Sequence, residues 1–543
     1  MRRAAVAAFL LAVTVSPAFA DHHARLSADL RKHLSDGSQS IDVIVQGDVD
    51  QIALRYNLVV KRRLKTGGVL QVNAGQLDAL ERDNDIDHLS GDLNVRSSMA
   101  ITNVAIGADQ VWAGQGDVPS LTGKGVVVAV IDSGIDTHHL ALKNRVIASV
   151  DFTGGDGSDH FGHGSHVAGI IAGQPGKSGD ARSIQGVAAG AYLVNLRVLG
   201  DDGTGTMSSV IDAIDWAIDH RKQLNIGVIN LSLGAPVLQS YRDDPLCDAV
   251  ERAVASGIVV VAAAGNFGKT KDGLTLFGAI TSPGNDPYVV TVGAVDTHGT
   301  TIRSDDTVAP YSSRGPTQYD TLIKPDLVAP GSHIVSAESA GSYLSTTYPE
   351  RHVMGNGNGA YIQLSGTSMA AGVVSGTAAL LLQENPKLKP ADIKAILQLT
   401  AEMMRSSGLL TSGAGSLNAI AAATFVRHPS ANTLTTTVSS QTVLAGKVLF
   451  NSVGQSSAHG SAIVWDTAIV WDTAIVWDTA IVWDTAIVWD TTTLRDSAIV
   501  WDTAIVWDSA IVWDTAIVWD TAIVWDTAIV WDTAIVWDSA AGD

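Results

Sequence analysis

Five apolar runs punctuate the middle of the chain, at 126–131, 193–199, 227–233, 258–264 and 288–295. Each is nearly continuous rather than alternating, as expected of a strand covered on both faces. Helical patterns separate several of them. Residues 208–220 place Ile211, Ile214, Trp216 and Ile218 near one face, and 245–255 does similar work. Such strands alternating with helices predict an α/β fold, a mostly parallel sheet with helices on both faces. Sites in these sheets gather at the carboxyl ends of the strands. A further run of small apolar residues, 369–382, reads as a buried helix ended by Asn385-Pro386.

The pattern differs on either side of this block. Upstream, 40–46 alternates like a strand, 48–56 reads as a helix, and 58–64 with 68–73 as a hairpin. Residues 76–83 read as a second helix and 88–95 as a last strand. That β-α-β-β-α-β order predicts a small ferredoxin-like α+β unit over 21–100. Downstream, 426–461 is rich in Ser, Thr, Ala and Gly and reads as a linker or small extension. From 462 to 539 the hexapeptide Ala-Ile-Val-Trp-Asp-Thr recurs in thirteen units, one of them degenerate at 492–497. Six is a multiple of the strand period and not of 3.6, so the tail predicts β structure. One long strand would put Ile, Trp and Thr on one face. A more compact alternative makes Ile-Val-Trp a short strand and Asp-Thr-Ala a corner of a β-solenoid. Exposed, such a segment is expected to self-associate or to bind a surface.

Charge and the first twenty residues narrow the setting. The formal net charge is −20, of which the repeats supply −12 (13 Asp against one Arg), leaving −8 elsewhere. That balance argues against a nucleic-acid partner. Arg2 and Arg3, the apolar stretch 4–15 and Ala18-Phe19-Ala20 form an export signal with a small-x-small cleavage site, giving a 1–20 leader. The stretch is too short for a permanent anchor, and no later run suggests a transmembrane helix. A secreted or cell-surface protein follows. Cys247 is the sole cysteine and precedes an apolar helical run, which suits a buried structural thiol.

Four short motifs carry candidate chemistry. Asp132 ends the first apolar run, in Asp132-Ser133-Gly134, where a cap or turn aspartate is the bland alternative. His163 opens an apolar run, with His166 three residues on. Such a pair could hold a metal, but no acidic residue stands at a third-ligand spacing within that run. Asn266 follows Ala264-Gly265, at the end of the fourth run. Ser368 precedes the buried helix, where free N–H groups favour developing negative charge. Together they fit one mechanism. Ser368 attacks a carbonyl, His163 takes its proton, and Asp132 fixes the imidazole. The Asn266 amide and the Ser368 N–H bind the oxyanion.

These stretches, Asp132-Ser133-Gly134, His163-Gly164-Ser165-His166-Val167-Ala168-Gly169, Ala264-Gly265-Asn266 and Gly366-Thr367-Ser368-Met369-Ala370, resemble the four signatures of the subtilisin-like serine peptidases. The Asp, His, Ser order is that family's. The resemblance extends over about 105–425 and implies a peptidase domain at 101–425. It implies a secreted serine endopeptidase acting through an acyl-enzyme, with protein or peptide substrates and no cofactor for the chemistry. It further implies that substrate lies as an extended strand between Gly203-Thr204-Gly205 and Ser232-Leu233-Gly234. The first specificity pocket would be walled by Ser232, Leu233, Gly234, Ala264 and Gly265. Those walls are uncharged, which suits an apolar or mid-sized residue before the cut. Residues 21–100 become, by the same resemblance, a propeptide that inhibits until it is cleaved off between about 94 and 102. One departure concerns metal. The family's usual calcium aspartate, nine positions after the first motif's aspartate, is Ala141 here. No metal residue is assigned, and structural calcium bound elsewhere stays open. The competing reading is a structural or adhesive surface protein whose repeat tail is the working part and whose peptidase serves maturation.

Overall fold

The computed structural model describes residues 23–26, 30 and 40–450, apart from 65, 84, 92–97, 177–183, 405–406 and 430–434. It also describes the tail strands between 462 and 541. The expected leader (1–20) and much of the expected cleavage region lie outside the described residues. Two units result, Met1–Val95 and Arg96–Asp543.

The described elements of the first unit include a five-stranded sheet and the two helices that pack on it. In chain order come β1 (Arg25–Leu26), β2 (Ile41–Gln46), α1 (Val49–Tyr56), β3 (Val59–Leu64), β4 (Gly67–Val72), α2 (Ala74–Glu81) and β5 (His88–Gly91). The sheet order is β1-β5-β2-β4-β3. Asp48 caps α1 by accepting from the Gln51 N–H, and Asn57 ends it in the left-handed region. Asn73 and Gln76 close a capping box on α2. Ile52 and Leu77 on the helices pack with Val43, Val45 and Leu70 on the sheet. The last strand is described over His88–Gly91, and the rest of the expected 88–95 lies outside the described residues; the two-residue β1 is too short to leave a periodic signal.

In the second unit α3 (Ser98–Ala105) and α4 (Ala108–Ala113) precede an eight-stranded sheet. Its strands are β6 (Val127–Asp132), β7 (Val146–Asp151), β8 (Tyr192–Arg197), β9 (Ile226–Leu231), β10 (Val259–Ala263), β11 (Val290–Asp296), β12 (Thr307–Val308) and β13 (Leu327–Pro330). The order is β12-β11-β10-β9-β6-β8-β7, with β13 also on β11. Only β12 runs antiparallel. Alternate residues of β6 enter two cores. Val128 and Val130 join the side built on α5 (His163–Ala172). Val127, Ala129 and Ile131 join the side built on α6 (Met207–Leu224) and α7 (Pro245–Ala255). The buried stripe of α6 is Val210, Ala213, Ile214 and Ala217, whereas Ile211, Trp216 and Ile218 sit at its partly buried margin. The small alanines let α6 approach the sheet, and the bulky neighbours cover the flanks. A short sheet not marked by the sequence pattern joins β14 (Ile334–Ala337), β15 (His352–Met354) and β16 (Tyr361–Leu364). Helix α8 (Tyr343–Thr347) lies in the loop between β14 and β15. Then come the central helix α9 (Thr367–Glu384), α10 (Pro390–Thr400), α11 (Ala419–Arg427) and the hairpin β17–β18 (Thr435–Val438 and Gln441–Leu444).

The tail contributes fourteen described strands, from β19 (Ala462–Val464) to β32 (Ala540–Ala541). They form three parallel sheets, each taking every third strand. Ala462 faces Ala480 and Thr467 faces Thr485, so pairing recurs at an offset of eighteen residues, three hexapeptides. The degenerate unit keeps this register. Its strand β24 (Thr492–Leu494) pairs with Ala474–Val476 on one side and Ala510–Val512 on the other.

Candidate active site

One strand end and two helix starts meet at the carboxyl end of the sheet. Asp132 is the last residue of β6, and Ser133 turns away from it. His163 opens α5, and Ser368 is the second residue of α9. The His163 Nδ1 lies 2.7 Å from the Asp132 Oδ1, an oxygen that also accepts the Ser133 N–H at 2.8 Å. Asp132 is 1% exposed. Burial disfavours a charged His163, but the Asp132 charge and hydrogen bond outweigh it, with the Asp159 charge adding, and the imidazole pKa is raised.

Asp159, which sequence reading missed, ties these parts together. Its Oδ1 accepts from the Ser133 hydroxyl (2.8 Å) and the Gly162 N–H (2.7 Å), and its Oδ2 from the Ser165 N–H (2.7 Å). The Ser133 Oγ in turn accepts the Gly164 N–H at 2.9 Å. One buried carboxylate thus joins the residue after Asp132 to the first turn of the helix that carries His163. Gly164 is needed here, because a Cβ would lie 2.1 Å from the Gly134 carbonyl oxygen. The only advance signal was an Asp four residues before the histidine, a spacing shared by many caps.

Ser368 sits at the start of α9, at the positive end of the helix dipole. Its hydroxyl donates to the Ser232 carbonyl oxygen at 3.0 Å, while the Ser232 hydroxyl donates to the Ser368 carbonyl oxygen at 2.9 Å. Among the described residues no hydrogen bond joins Ser368 to His163, so the hydroxyl must turn from Ser232 to meet the imidazole. Asn266 is held by its oxygen. The Oδ1 accepts the Thr367 N–H (3.0 Å) and hydroxyl (3.2 Å), which leaves its NH2 as the free donor edge. The Gly265 N–H binds the Thr367 Oγ1 at 3.1 Å. Thr367 therefore orients the amide, a role that nothing in the sequence distinguished from a helix-start threonine.

The expected substrate segments do converge. Gly203, Thr204 and Gly205 face Ser232, Leu233 and Gly234 across a cavity of about 390 Å³ that also reaches His163 and Phe161. Ala264 and Gly265 lie on the other side of 232–234 and meet it through Thr281. A Cβ on Gly234 would come 2.4 Å from the Thr281 Oγ1, and one on Gly265 2.9 Å from its Cγ2. Thr281 donates to the Ala264 carbonyl through its N–H at 3.1 Å. Residues 281–282, poorly placed by sequence, are fixed by reciprocal backbone bonds between Ala235 and Ser282.

His166 settles the histidine-pair question. Its Nε2 faces the carbonyl oxygens of Ile334 (3.1 Å) and Ile362 (3.2 Å), linking β14 to β16. Burial, then the neighbouring His163, pushes its pKa down to about 3. His163 faces Asp132 and His166 faces two carbonyls, so the two do not form one ligand set. Ala141, buried at 4% exposure, offers only its carbonyl, which accepts the Gln174 N–H at 2.8 Å. Cys247 is buried, and its thiol pKa is pushed up by desolvation.

The fold and this constellation define a serine-hydrolase arrangement on a parallel α/β sheet. Residues 123–441 match the model of the subtilase family. Serine protease AprX of Bacillus subtilis is 38% identical over 307 residues, covering 55% of this chain and 66% of that protein. Subtilisin E of the same species is 36% identical over 322 residues, 59% of this chain and 71% of that one. An alkaline protease of Alkalihalobacillus alcalophilus is 34% identical over 355 residues, 65% and 78% of the two chains. The crystal structure of a cold adapted subtilisin-like serine proteinase is 32% identical, with a TM-score of 0.40, covering 55% of this chain and 90% of that one. The chain belongs to the subtilase family of serine peptidases.

Proposed function

We propose that the chain is an exported serine endopeptidase made as a self-processed zymogen. Ser368 is the nucleophile, His163 the general base and Asp132 the group that orients and charges it. Asn266 and the Ser368 N–H form the oxyanion site. The observation that carries the reading is the 2.7 Å Asp132–His163 pair beside a serine at a buried helix start. The relatives named serine or alkaline proteases support it. Substrate is a protein or peptide, extended between 203–205 and 232–234 by backbone pairing. Uncharged pocket walls with Thr281 between them favour an apolar or mid-sized residue before the cut. Residues 21–100 act as the propeptide inhibitor, and 1–20 as the leader. Among the described residues no helix is long and apolar enough to cross a membrane. No cofactor is needed for the chemistry. Because Ala141 supplies no side-chain oxygen, a calcium site is not proposed there.

The test is purification of the wild type and of Ser368→Ala, with intact mass and hydrolysis of casein. The wild type should lose about 80 residues beyond the leader and digest casein, while the variant stays long and inert. Equal maturation of both, with no digestion by either, would remove Ser368 from the mechanism.

A further inference from the structure

The peptidase reading leaves the tail without a role, and its strand pairing points to one. Each strand lies in register on the strand eighteen residues on, and outside the degenerate β24 and the last strand β32 the paired residues are the same or, as Thr479 with Ser497, closely alike. Ala462 faces Ala480, Ile463 faces Ile481, and the same holds at Ala510 with Ala528 and Ile511 with Ile529. Three strands make a turn, and the three sheets end, among the described residues, at β30 (Ala528–Val530), β31 (Thr533–Val536) and β32. At the other end the first strands are β19, β20 (Thr467–Val470) and β21 (Ala474–Val476). The contact between coils is therefore one repeated backbone ladder between near-identical segments. An edge that binds the next coil of its own chain is the same edge that would bind the first coil of another copy.

We propose that the tail is a three-sided β-solenoid that stacks end to end with the tail of a second copy of this chain. The three sheets fix the geometry of the joint. They hold five, five and four strands, so the next place to be filled follows β30. In the second copy β19 pairs with β30, β20 with β31, and β21 with β32, a rotation of one third of a turn. The contact is head-to-tail and does not close on itself, so further copies add in line. Successive coils lie about 4.8 Å apart, the ordinary spacing of neighbouring strands. The repeats' charge of −12 opposes stacking, and salt screens it. Association therefore strengthens as ionic strength rises, opposite to the response of an association held by ion pairs. The inference rests on the tail's pairing and not on the peptidase reading.

The test uses the full chain carrying Ser368→Ala, so that self-cleavage cannot remove the tail. Two proteins are prepared, one with Ala462→Cys and one with Ala528→Cys, the two positions that the stacked register brings opposite one another. The native Cys247 is buried and does not compete. Sedimentation velocity should show species larger than the monomer that grow with added sodium chloride. Mild oxidation of the mixture should give a disulfide-linked dimer about tenfold more abundant than from a mixture of Ala462→Cys with Ala498→Cys, whose second site lies within the stack. Loss of the last three strands, in a chain ending at Asp526, exposes an equivalent edge and should leave association in place. A monomer at all salt concentrations overturns the proposal. So does association with equal cross-linking in the two mixtures, which would mean side-by-side packing.

Discussion

The Asp132 carboxylate does two jobs through one oxygen, accepting its own Ser133 N–H and facing the His163 ring. Replacing it by Asn keeps the shape but offers the wrong tautomer, and kcat should fall about 10⁴-fold. Asp159 acts one step further out. It touches no reacting atom, yet it joins Ser133 to the first turn of α5 and adds to the raised pKa of His163. Asp159→Asn removes a negative charge, so the imidazole pKa falls. The reactive form is the neutral base, present above that pKa, so the acidic limb of kcat/KM should move to lower pH. Disturbed positioning should also lower kcat/KM by about 10–100-fold. A pH–rate profile checks both effects; a lower rate with an unmoved limb would mean that Asp159 only supports the fold. Of these residues the sequence marked Asp132, His163, Asn266 and Ser368, because each borders an apolar run, Asp132 and Asn266 after one and His163 and Ser368 before one. Asp159 and Thr367 were not readable. Their work depends on which backbone N–H groups come within 3.2 Å, and a single chain of letters does not carry that.

At the scale of elements, a buried ionic junction locks the sheet to α10. Asp326, immediately before β13, accepts from the Lys324 Nζ (2.8 Å), the Thr291 N–H (2.8 Å) and the Gln398 amide (3.0 Å), with the Lys394 Nζ at 3.0 Å. Burial pushes this carboxyl up, but the two lysine charges outweigh it and hold the pKa below its usual value. Stability from Asp326 is therefore complete above about pH 4, the unfolded value, and is lost as pH falls through the lower folded value. Asp326→Asn removes the counter-charge of two buried lysines. The pKa of Lys324 is already brought down to about 7 by burial, so this lysine would give up its proton. The broken junction should cost about 3–5 kcal/mol, read by urea denaturation near neutral pH. The main strands and helices were legible to within a few residues, since continuous apolar runs and caps dominate there. The β14–β16 sheet and β7 were not. Their strands are short or half-exposed, as in Val146–Asp151, and tertiary contacts rather than local pattern decide them.

The whole molecule joins a sheet-borne site to a repeat whose pairing is separate in kind. In the sequence a period of six allowed either one long strand or a coil. The eighteen-residue register supports the coil we propose, because a long strand gives no reason for every third unit to meet. If the tail serves placement and not chemistry, a chain ending at Ser461 should hydrolyse casein with kcat/KM within about twofold of the full mature enzyme. A large loss would assign the repeats a part in catalysis. The chelator response belongs to the same scale. With Ala141 at that position, added EDTA should leave casein hydrolysis unchanged, and a loss of activity would place a functional ion on oxygen ligands elsewhere.

The central claim is that Ser368 is an activated nucleophile, and labelling tests it most directly. The mature protein is treated with phenylmethylsulfonyl fluoride, and the modified peptide is identified by mass spectrometry. The account predicts one sulfonyl group per chain, on Ser368, with activity lost in proportion and no label after Asp132→Asn on the same timescale. A label on another residue, or full activity with Ser368 unmodified under excess reagent, would contradict it.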